Sequence, residues 1–225
     1  MNPDPVGSHF DTVAPDYDRW KAKAHRYYDA LKTSLREIVP PGSLVVEVGC
    51  ATGDILASLE PQEGVGLDIS PAMIELAALK HPGLVFRVHD LMQGPLEERF
   101  DYVVAADVAE HVPDLDTMMA SLAGMLTDTG VAIVVTANPR WAPVLHLAER
   151  LRLKMPEGDH EWRSRADLSS AAGRAGMRER SFDRSLVMPK DVPGLRALDS
   201  APWAAGLRQR LGVIQRAVFE PARPS

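Results

Sequence analysis

Acidic residues and a glycine-containing turn form the part of the sequence best suited to binding a small ligand. Glu47, Asp68, Asp90 and Asp107 each lie at or just beyond the end of a short apolar run. Gly49 follows the first run, and Asp68 ends the second run 19 positions later. Glycine lets a backbone approach a ligand closely, and a carboxylate can accept hydrogen bonds from both hydroxyls of a ribose. The pattern therefore predicts a nucleoside-binding site.

The same turn argues against a nicotinamide dinucleotide as the ligand. The fingerprint G-x-G-x-x-G would place glycine at positions 49, 51 and 54, but the sequence has Gly49, Ala51 and Asp54. A carboxylate at the start of a helix repels a pyrophosphate and is compatible with a cofactor that carries no phosphate. An NAD-dependent oxidoreductase is therefore a disfavoured alternative.

The elements that must position these residues alternate regularly along the chain. Apolar, β-branched runs predict buried strands, and segments with apolar residues at helical spacing separate them. We expect a doubly wound α/β fold, in which ligands bind at the carboxyl ends of the strands. The predicted strands are Leu44–Val48, Gly64–Asp68, Leu84–Val88, Tyr102–Ala106, Val131–Thr136, Arg178–Val187 and Gly212–Glu220.

The whole chain, residues 1–225, is expected to form a single domain. Within it we distinguish an N-terminal helical region over 1–39, a core over 40–137, a cap insertion over 138–165 and the C-terminal part of the sheet over 166–225. Asp11–Glu37 is expected to be helical, Ser70 to cap a helix that begins at Pro71, and Val112–Leu126 and Ser164–Ala175 to form two further helices.

The spacing E-x-G-x-x-x-G from Glu47 to Gly53 resembles motif I of the class I S-adenosylmethionine-dependent methyltransferases. The segments Asp68–Met73, Asp90–Leu91 and Asp107–Val112 are similar to the motifs that follow the second, third and fourth strands of that family. The resemblance covers roughly residues 40 to 136, in the family's order and spacing. It implies a seven-stranded Rossmann-like sheet, mostly parallel with an antiparallel C-terminal strand, and S-adenosylmethionine as the cofactor.

The resemblance also implies roles for individual residues at the cofactor. Gly49, Cys50 and Gly53 would line its methionine moiety, and Asp68 would bind both ribose hydroxyls. The adenine would be held by Ile69, Met73, Asp90 and Leu91. Tyr17, Trp20 and Arg26 resemble the residues that close over the cofactor in small-molecule members. Glu47 and Asp107 complete the predicted set.

Methyl transfer to oxygen or nitrogen needs an acceptor aligned with the S–CH₃ bond for in-line displacement and a group that takes its proton. A histidine that titrates near neutral pH suits this role. His111 is the first candidate for the base, and His160 is the second. Asp107-x-x-Glu110-His111 also resembles the arrangement associated with a divalent metal in the ubiquinone-biosynthesis O-methyltransferases, but we predict no metal site here.

The cap is expected to select the acceptor, a small molecule that is anionic or lipid-like. Its helical part combines an apolar face with positive charge on Arg140, Arg150, Arg152 and Lys154. This helix could cover the pocket, dock on another subunit or contact an anionic membrane surface as a peripheral protein. A cofactor-binding module without methyl transfer and a methyltransferase acting on a macromolecule are the alternative functions.

Composition limits the protein class further. Residues 1–139 carry 9 Lys/Arg and 21 Asp/Glu, whereas residues 140–225 carry 16 and 10, so the net charge of −6 divides into −12 and +6. An acidic protein is not expected to bind nucleic acid. No apolar run is long enough for a transmembrane helix. The single cysteine and the lack of a secretory signal predict a cytoplasmic protein.

Overall fold

The computed structural model describes residues 5–155, 161–189 and 197–222. Seven strands form one sheet in the order β3-β2-β1-β4-β5-β7-β6, which confirms the predicted fold class. The strands are β1 (Leu44–Val48), β2 (Glu63–Asp68), β3 (Val85–Val88), β4 (Phe100–Ala106), β5 (Leu126–Ala137), β6 (Met177–Ser185) and β7 (Ile214–Pro221).

Parallel pairing brings the predicted binding motifs to one edge of the sheet. Strand β1 pairs in parallel with both β2 and β4, so that Val46 lies between Val65 and Val103. Strand β7 is inserted antiparallel between β5 and β6. The residues that follow β1, β2 and β4 therefore meet at the carboxyl ends of neighbouring parallel strands, where ligands of open α/β sheets bind.

Helices cover both faces of the sheet. Met118 and Leu168 belong to the apolar cluster on one face, and Leu31 and Leu35 belong to the cluster on the other face. The helices are α1 (Pro5–Val13), α2 (Tyr17–Lys23), α3 (His25–Arg36), α4 (Asp54–Ser58), α5 (Pro71–Lys80), α6 (Leu115–Gly124), α7 (Ala142–Arg150), α8 (Arg165–Arg174), α9 (Ala197–Ser200) and α10 (Ala205–Leu211).

Local capping chemistry fixes two helix starts where the sequence predicts them. The Ser70 hydroxyl accepts a hydrogen bond from the Met73 backbone N–H at 3.1 Å, and Pro71 occupies the first turn of α5. Ser164 and Asp167 form a reciprocal capping box at the start of α8. The predicted beginnings of α5 and α8 are thus confirmed.

Three predicted element boundaries are wrong by three residues or more. Helix α6 begins at Leu115 instead of Val112, because the Asp114 side chain accepts a hydrogen bond from the Asp116 N–H and caps the helix there. Strand β5 begins at Leu126, which pairs with Phe100 across a register shift. The N-terminal region begins by Pro5 and is divided into three helices, with a 3₁₀ turn over Ala14–Asp16.

Candidate functional site

A cavity of about 390 Å³ lies at the carboxyl ends of β1, β2 and β4. We call it the first cavity. Among the residues predicted to bind the cofactor or act in catalysis, the first cavity is lined by Tyr17, Gly49, Cys50, Asp68, Ile69, Asp90, Leu91, Asp107 and His111. The structure therefore brings most of the predicted site together, although these residues come from distant parts of the chain.

The turn after β1 requires glycine at its first position. Gly49 has φ +67°, and a side chain there would collide with the γ-methyl group of Val108, in the segment after β4. Ala51 also has a positive φ, at 46°. The Cys50 N–H donates to the Leu67 carbonyl at 2.9 Å, which holds the turn against β2. This geometry leaves the backbone of the turn as part of the cavity wall.

Asp68 is fixed in position by the backbone around it. Its carboxylate accepts one hydrogen bond from the Ala51 N–H at 2.8 Å and another from the Ser70 N–H at 2.9 Å. The residue is only 8% exposed, and this burial raises the pKa of its carboxyl group. The carboxylate is therefore preorganised at the wall of the first cavity before any ligand binds.

Glu47 does not line the first cavity, although it lies in the adjoining strand β1. One carboxylate oxygen, Oε2, accepts a hydrogen bond from the Leu56 N–H at 2.8 Å. The other, Oε1, is buried and has no hydrogen-bond partner among the residues that the structure describes. Burial raises the pKa of Glu47 to about 8, while the positive charge of Lys21 acts in the opposite direction.

Lys21 is a site residue that the sequence analysis missed. Its ammonium nitrogen lies 4.6 Å from the ring centroid of Tyr28 and 5.2 Å from that of Tyr17. It also lies 3.9 Å from a carboxylate oxygen of Asp54. Burial lowers the pKa of Lys21, because the charged form is removed from water. The signal that would have found it is its position one helical turn after Tyr17.

Other predicted cofactor residues lie outside the first cavity. The Arg26 guanidinium donates to Asp199 at 2.6 Å and to the Met188 carbonyl at 3.2 Å, so it ties α3 to the C-terminal part of the chain. Gly53 is the N-cap of α4, and Met73 is fully buried in a small apolar cluster. His160 lies outside the described residues.

A second cavity of about 400 Å³ adjoins the first one. It is mostly apolar, and its lining includes Trp20, which the family resemblance places at the cofactor instead. Its aromatic and aliphatic walls are formed by Trp20, Tyr27, Tyr28, Trp141, Val144, Leu145, Ala148, Leu153, Met155, Trp162, Met188, Pro189 and Val213. Lys21, Tyr28, Asp107 and Met155 line both cavities.

Asp107 occupies the junction of the two cavities in a strained conformation. Its φ of 57° lies in the left-handed region, which is uncommon for a residue with a side chain. The Tyr27 hydroxyl donates to its Oδ1 at 2.6 Å, and its backbone N–H donates to the Val135 carbonyl at 2.9 Å. Burial and the neighbouring Asp107 carboxylate raise the pKa of Tyr27 well above its usual value. Tyr27 therefore remains a neutral donor.

Asp107, Glu110 and His111 lie in one short segment but line different parts of the site. Glu110 lines the second cavity, whereas His111 lines the first cavity. The His111 ring packs edge-on against the Phe10 ring, with the ring centroids 5.4 Å apart. Within the described ranges, no three histidine, cysteine or acidic side chains are grouped closely enough to hold a metal ion.

Comparison with protein families and curated relatives agrees with this geometry. A family model described as a methyltransferase domain matches residues 20–179. A ubiquinone biosynthesis O-methyltransferase from Bradyrhizobium diazoefficiens is 30% identical over 130 residues, which cover 54% of this chain and 51% of that protein. The chain thus matches the curated relative over about half the length of that relative.

Solved structures with similar folds cover nearly the whole chain. A chain from the complex between a Haloferax volcanii methyltransferase activator and a methyltransferase has a TM-score of 0.75 at 22% identity, with 95% of this chain and 98% of that chain covered. Magnesium protoporphyrin IX methyltransferase from Synechocystis PCC 6803 with bound SAH has a TM-score of 0.65 at 19% identity, over 96% of this chain and 98% of that one. The family model spans residues 20–179, and the sheet has the seven strands and the antiparallel C-terminal strand that the family resemblance implies. This chain therefore belongs to the class I S-adenosylmethionine-dependent methyltransferases.

Proposed function

We propose that this protein transfers a methyl group from S-adenosylmethionine to a hydroxyl oxygen of a small, apolar acceptor. The observation that carries the proposal is the junction of two cavities of similar size. The first cavity is walled by the sequence motifs of a nucleoside-binding site, and the second is walled mainly by aromatic and aliphatic side chains. An apolar cavity of this size suits a small molecule better than a macromolecule.

The residues of the first cavity fit the cofactor. Asp68 presents a preorganised carboxylate for the ribose hydroxyls, and Ile69 and Leu91 offer apolar contacts for adenine. Gly49 lines this cavity, and the absence of a side chain there lets the turn pack directly against Val108. Lys21 places a positive charge at the wall shared by both cavities and suits the carboxylate of the methionine moiety. When bound, S-adenosylmethionine supplies a methyl group already activated by the sulfonium.

The protein's own residues then have three tasks: orienting the acceptor, excluding water and taking up a proton. The walls of the second cavity exclude water and restrict the acceptor's orientation. Asp107, held by Tyr27, presents a carboxylate at the junction, where it can accept a hydrogen bond from an acceptor hydroxyl. His111 is our candidate for the base, because it lies four residues after Asp107, which lines both cavities, and an imidazole is suited to proton transfer near neutral pH. His160 stays a prediction.

Oxygen is favoured over nitrogen as the methylated atom by the curated relatives, which are named O-methyltransferases. The apolar character of the second cavity supports an acceptor with an aromatic ring or an aliphatic tail. The anionic character that the basic cap suggested has less support here, because acidic Asp107 and Glu110 share this cavity with Lys21, Lys23 and Lys154.

Two matched acceptor series test the proposal. Methyl transfer from labelled S-adenosylmethionine would be measured for 4-alkylphenols and for 4-alkylanilines, with the alkyl group extended from methyl to octyl. We expect the phenols to be methylated, with kcat/KM rising up to about fourfold for each methylene that is buried. Faster transfer to the anilines, or no transfer to any phenol, would contradict the proposal.

A further inference from the structure

Helix α7 and the residues after it present an apolar surface to solvent. Val144, Leu147, Leu151 and Leu153 are each between 53% and 59% exposed. Val144, Leu147 and Leu151 follow the i, i+3, i+7 spacing that places side chains along one side of a helix. The chain then turns at Arg152, which has φ 56°, and the Leu153 N–H donates to the Ala148 carbonyl at 2.8 Å. We call these four residues the exposed α7 face.

The exposed α7 face is continuous with the second cavity. Val144 and Leu153 belong both to this face and to the cavity lining, and Ala148 lines the cavity from the same helix. Leu145 in α7 and Trp141 just before the helix also line the cavity and pack against the apolar core, and the Trp141 indole N–H donates to the Leu211 carbonyl at 2.6 Å. The helix is thus anchored on one side and leaves its other apolar side at the rim of the cavity.

Positive charge surrounds this face although the chain as a whole is acidic. Arg140, Arg150 and Arg152 are exposed, and Lys154 lines the second cavity beside Leu153. Glu149 is the acidic residue that α7 contributes. A basic, apolar helix side matches the chemistry of an anionic lipid surface, where apolar side chains enter the boundary of the acyl chains and arginines contact the head groups.

We infer that the exposed α7 face docks on a bilayer that contains anionic lipids, with the second cavity opening toward the membrane. The contact is peripheral, since no helix in the described ranges is long and apolar enough to cross a membrane. An apolar acceptor dissolved in the bilayer would then enter the second cavity without crossing water. Only this last step rests on the proposed function, because docking itself needs no methyl transfer.

Co-sedimentation of the full chain with vesicles tests the inference. We expect binding to vesicles of phosphatidylcholine mixed with phosphatidylglycerol, and little binding to phosphatidylcholine alone or at high salt. The double variant Leu147→Glu with Leu151→Glu should lower the partition coefficient by more than about tenfold. Leu79→Glu is the matched control, because Leu79 is 81% exposed on α5, and it should bind as the wild type does.

The charge contribution is tested with Arg150→Gln and Arg152→Gln together. Each basic residue near an anionic surface contributes about 1 kcal/mol, so the pair should lower partition by about thirtyfold. Arg99→Gln with Arg180→Gln, both exposed elsewhere, is the control. Circular dichroism would verify that every variant is folded.

Three outcomes would overturn the inference. They are equal binding of the Leu147/Leu151 variant and the wild type, equal binding to neutral and anionic vesicles, and absence of vesicle binding. If vesicle binding is absent and gel filtration shows that the same variant converts a dimer into a monomer, the face contacts a second copy of the chain instead. None of these results depends on turnover, so failure of docking would leave the assay of the proposed function unaffected.

Discussion

The Tyr27 hydroxyl donates a 2.6 Å hydrogen bond to Asp107 at the junction of the two cavities. The two residues are 80 positions apart in sequence, one in α3 and the other just after β4. Tyr27 lines only the second cavity, whereas Asp107 lines both. The bond therefore fixes a carboxylate where the proposed acceptor and the proposed cofactor meet.

Tyr27→Phe should reduce turnover more than it reduces cofactor binding. A hydrogen bond to a charged group contributes about 1.5–3 kcal/mol, so loss of this donor should lower kcat by about tenfold or more. The dissociation constant of S-adenosylhomocysteine, measured by calorimetry, should change less than about threefold. Equal losses in cofactor binding and in turnover would show that the bond supports the first cavity rather than the junction.

Asp68→Ala should weaken cofactor binding strongly while the fold remains intact. The substitution removes the carboxylate proposed to bind the ribose, which also accepts hydrogen bonds from Ala51 and Ser70. We expect an affinity for S-adenosylhomocysteine lower by a factor of about 30 or more, which is 2 kcal/mol or more. Asp128→Ala, at an exposed position in β5, is the control. Wild-type affinity in Asp68→Ala would refute the assigned role.

Gly49→Ala should destabilise the protein because of both backbone conformation and space. Position 49 has φ +67°, and an added Cβ would overlap the Val108 side chain. We expect the free energy of unfolding to fall by about 1–3 kcal/mol in urea denaturation. Gly83→Ala is the control, since a Cβ there would meet nothing within 4 Å. Adding Val108→Ala should recover the part of the loss that comes from overlap; no recovery would mean that strain at φ dominates.

Glu47 should make stability depend on pH in a defined window. The usual pKa of its carboxyl group is 4.5 and the folded value is about 8, so between these values the folded state keeps a proton that the unfolded state has released. The free energy of unfolding should therefore decrease as pH rises from 4.5 to about 8. Glu47→Gln should lack this contribution, so its stability relative to the wild type should increase across the window. Parallel curves in urea denaturation would contradict the shift.

Ala148→Trp should separate the two cavities functionally. Ala148 lines only the second cavity, which a larger side chain at this position would partly fill. Calorimetric binding of S-adenosylhomocysteine should be unchanged, whereas kcat/KM for an alkylphenol should fall by at least about tenfold. Unchanged turnover would place the acceptor elsewhere.

The strands and helix starts that depend on residues adjacent in sequence could be predicted from the sequence. The apolar residues just before Gly49 predict a buried strand, and Ser70 followed by Pro71 predicts a capped helix start. Each of these patterns spans only a few residues. Pairing partners are not visible in this way. Strand β5 begins at Leu126, which pairs with Phe100 in β4, whereas the local apolar pattern predicts a start at Val131.

The candidate site shows the same limit. Asp68 ends a strand of recognisable pattern and Asp90 lies just after another, and both line the first cavity. Arg26 is predicted to close over the cofactor, but its side chain bonds to Asp199, 173 residues away, and no local pattern predicts that partner. Lys21 and Met155 are brought to the junction by packing of the N-terminal helices and the cap, so composition alone did not single them out.

Calorimetric titration of the purified protein with S-adenosylmethionine, S-adenosylhomocysteine and NAD, with and without prior EDTA treatment, tests directly whether the first cavity binds the cofactor. We predict that both adenosyl ligands bind at one site per chain, that EDTA changes neither affinity, and that NAD does not bind. Tight binding of NAD, or no binding of either adenosyl ligand, would contradict the assignment of the first cavity as the cofactor site.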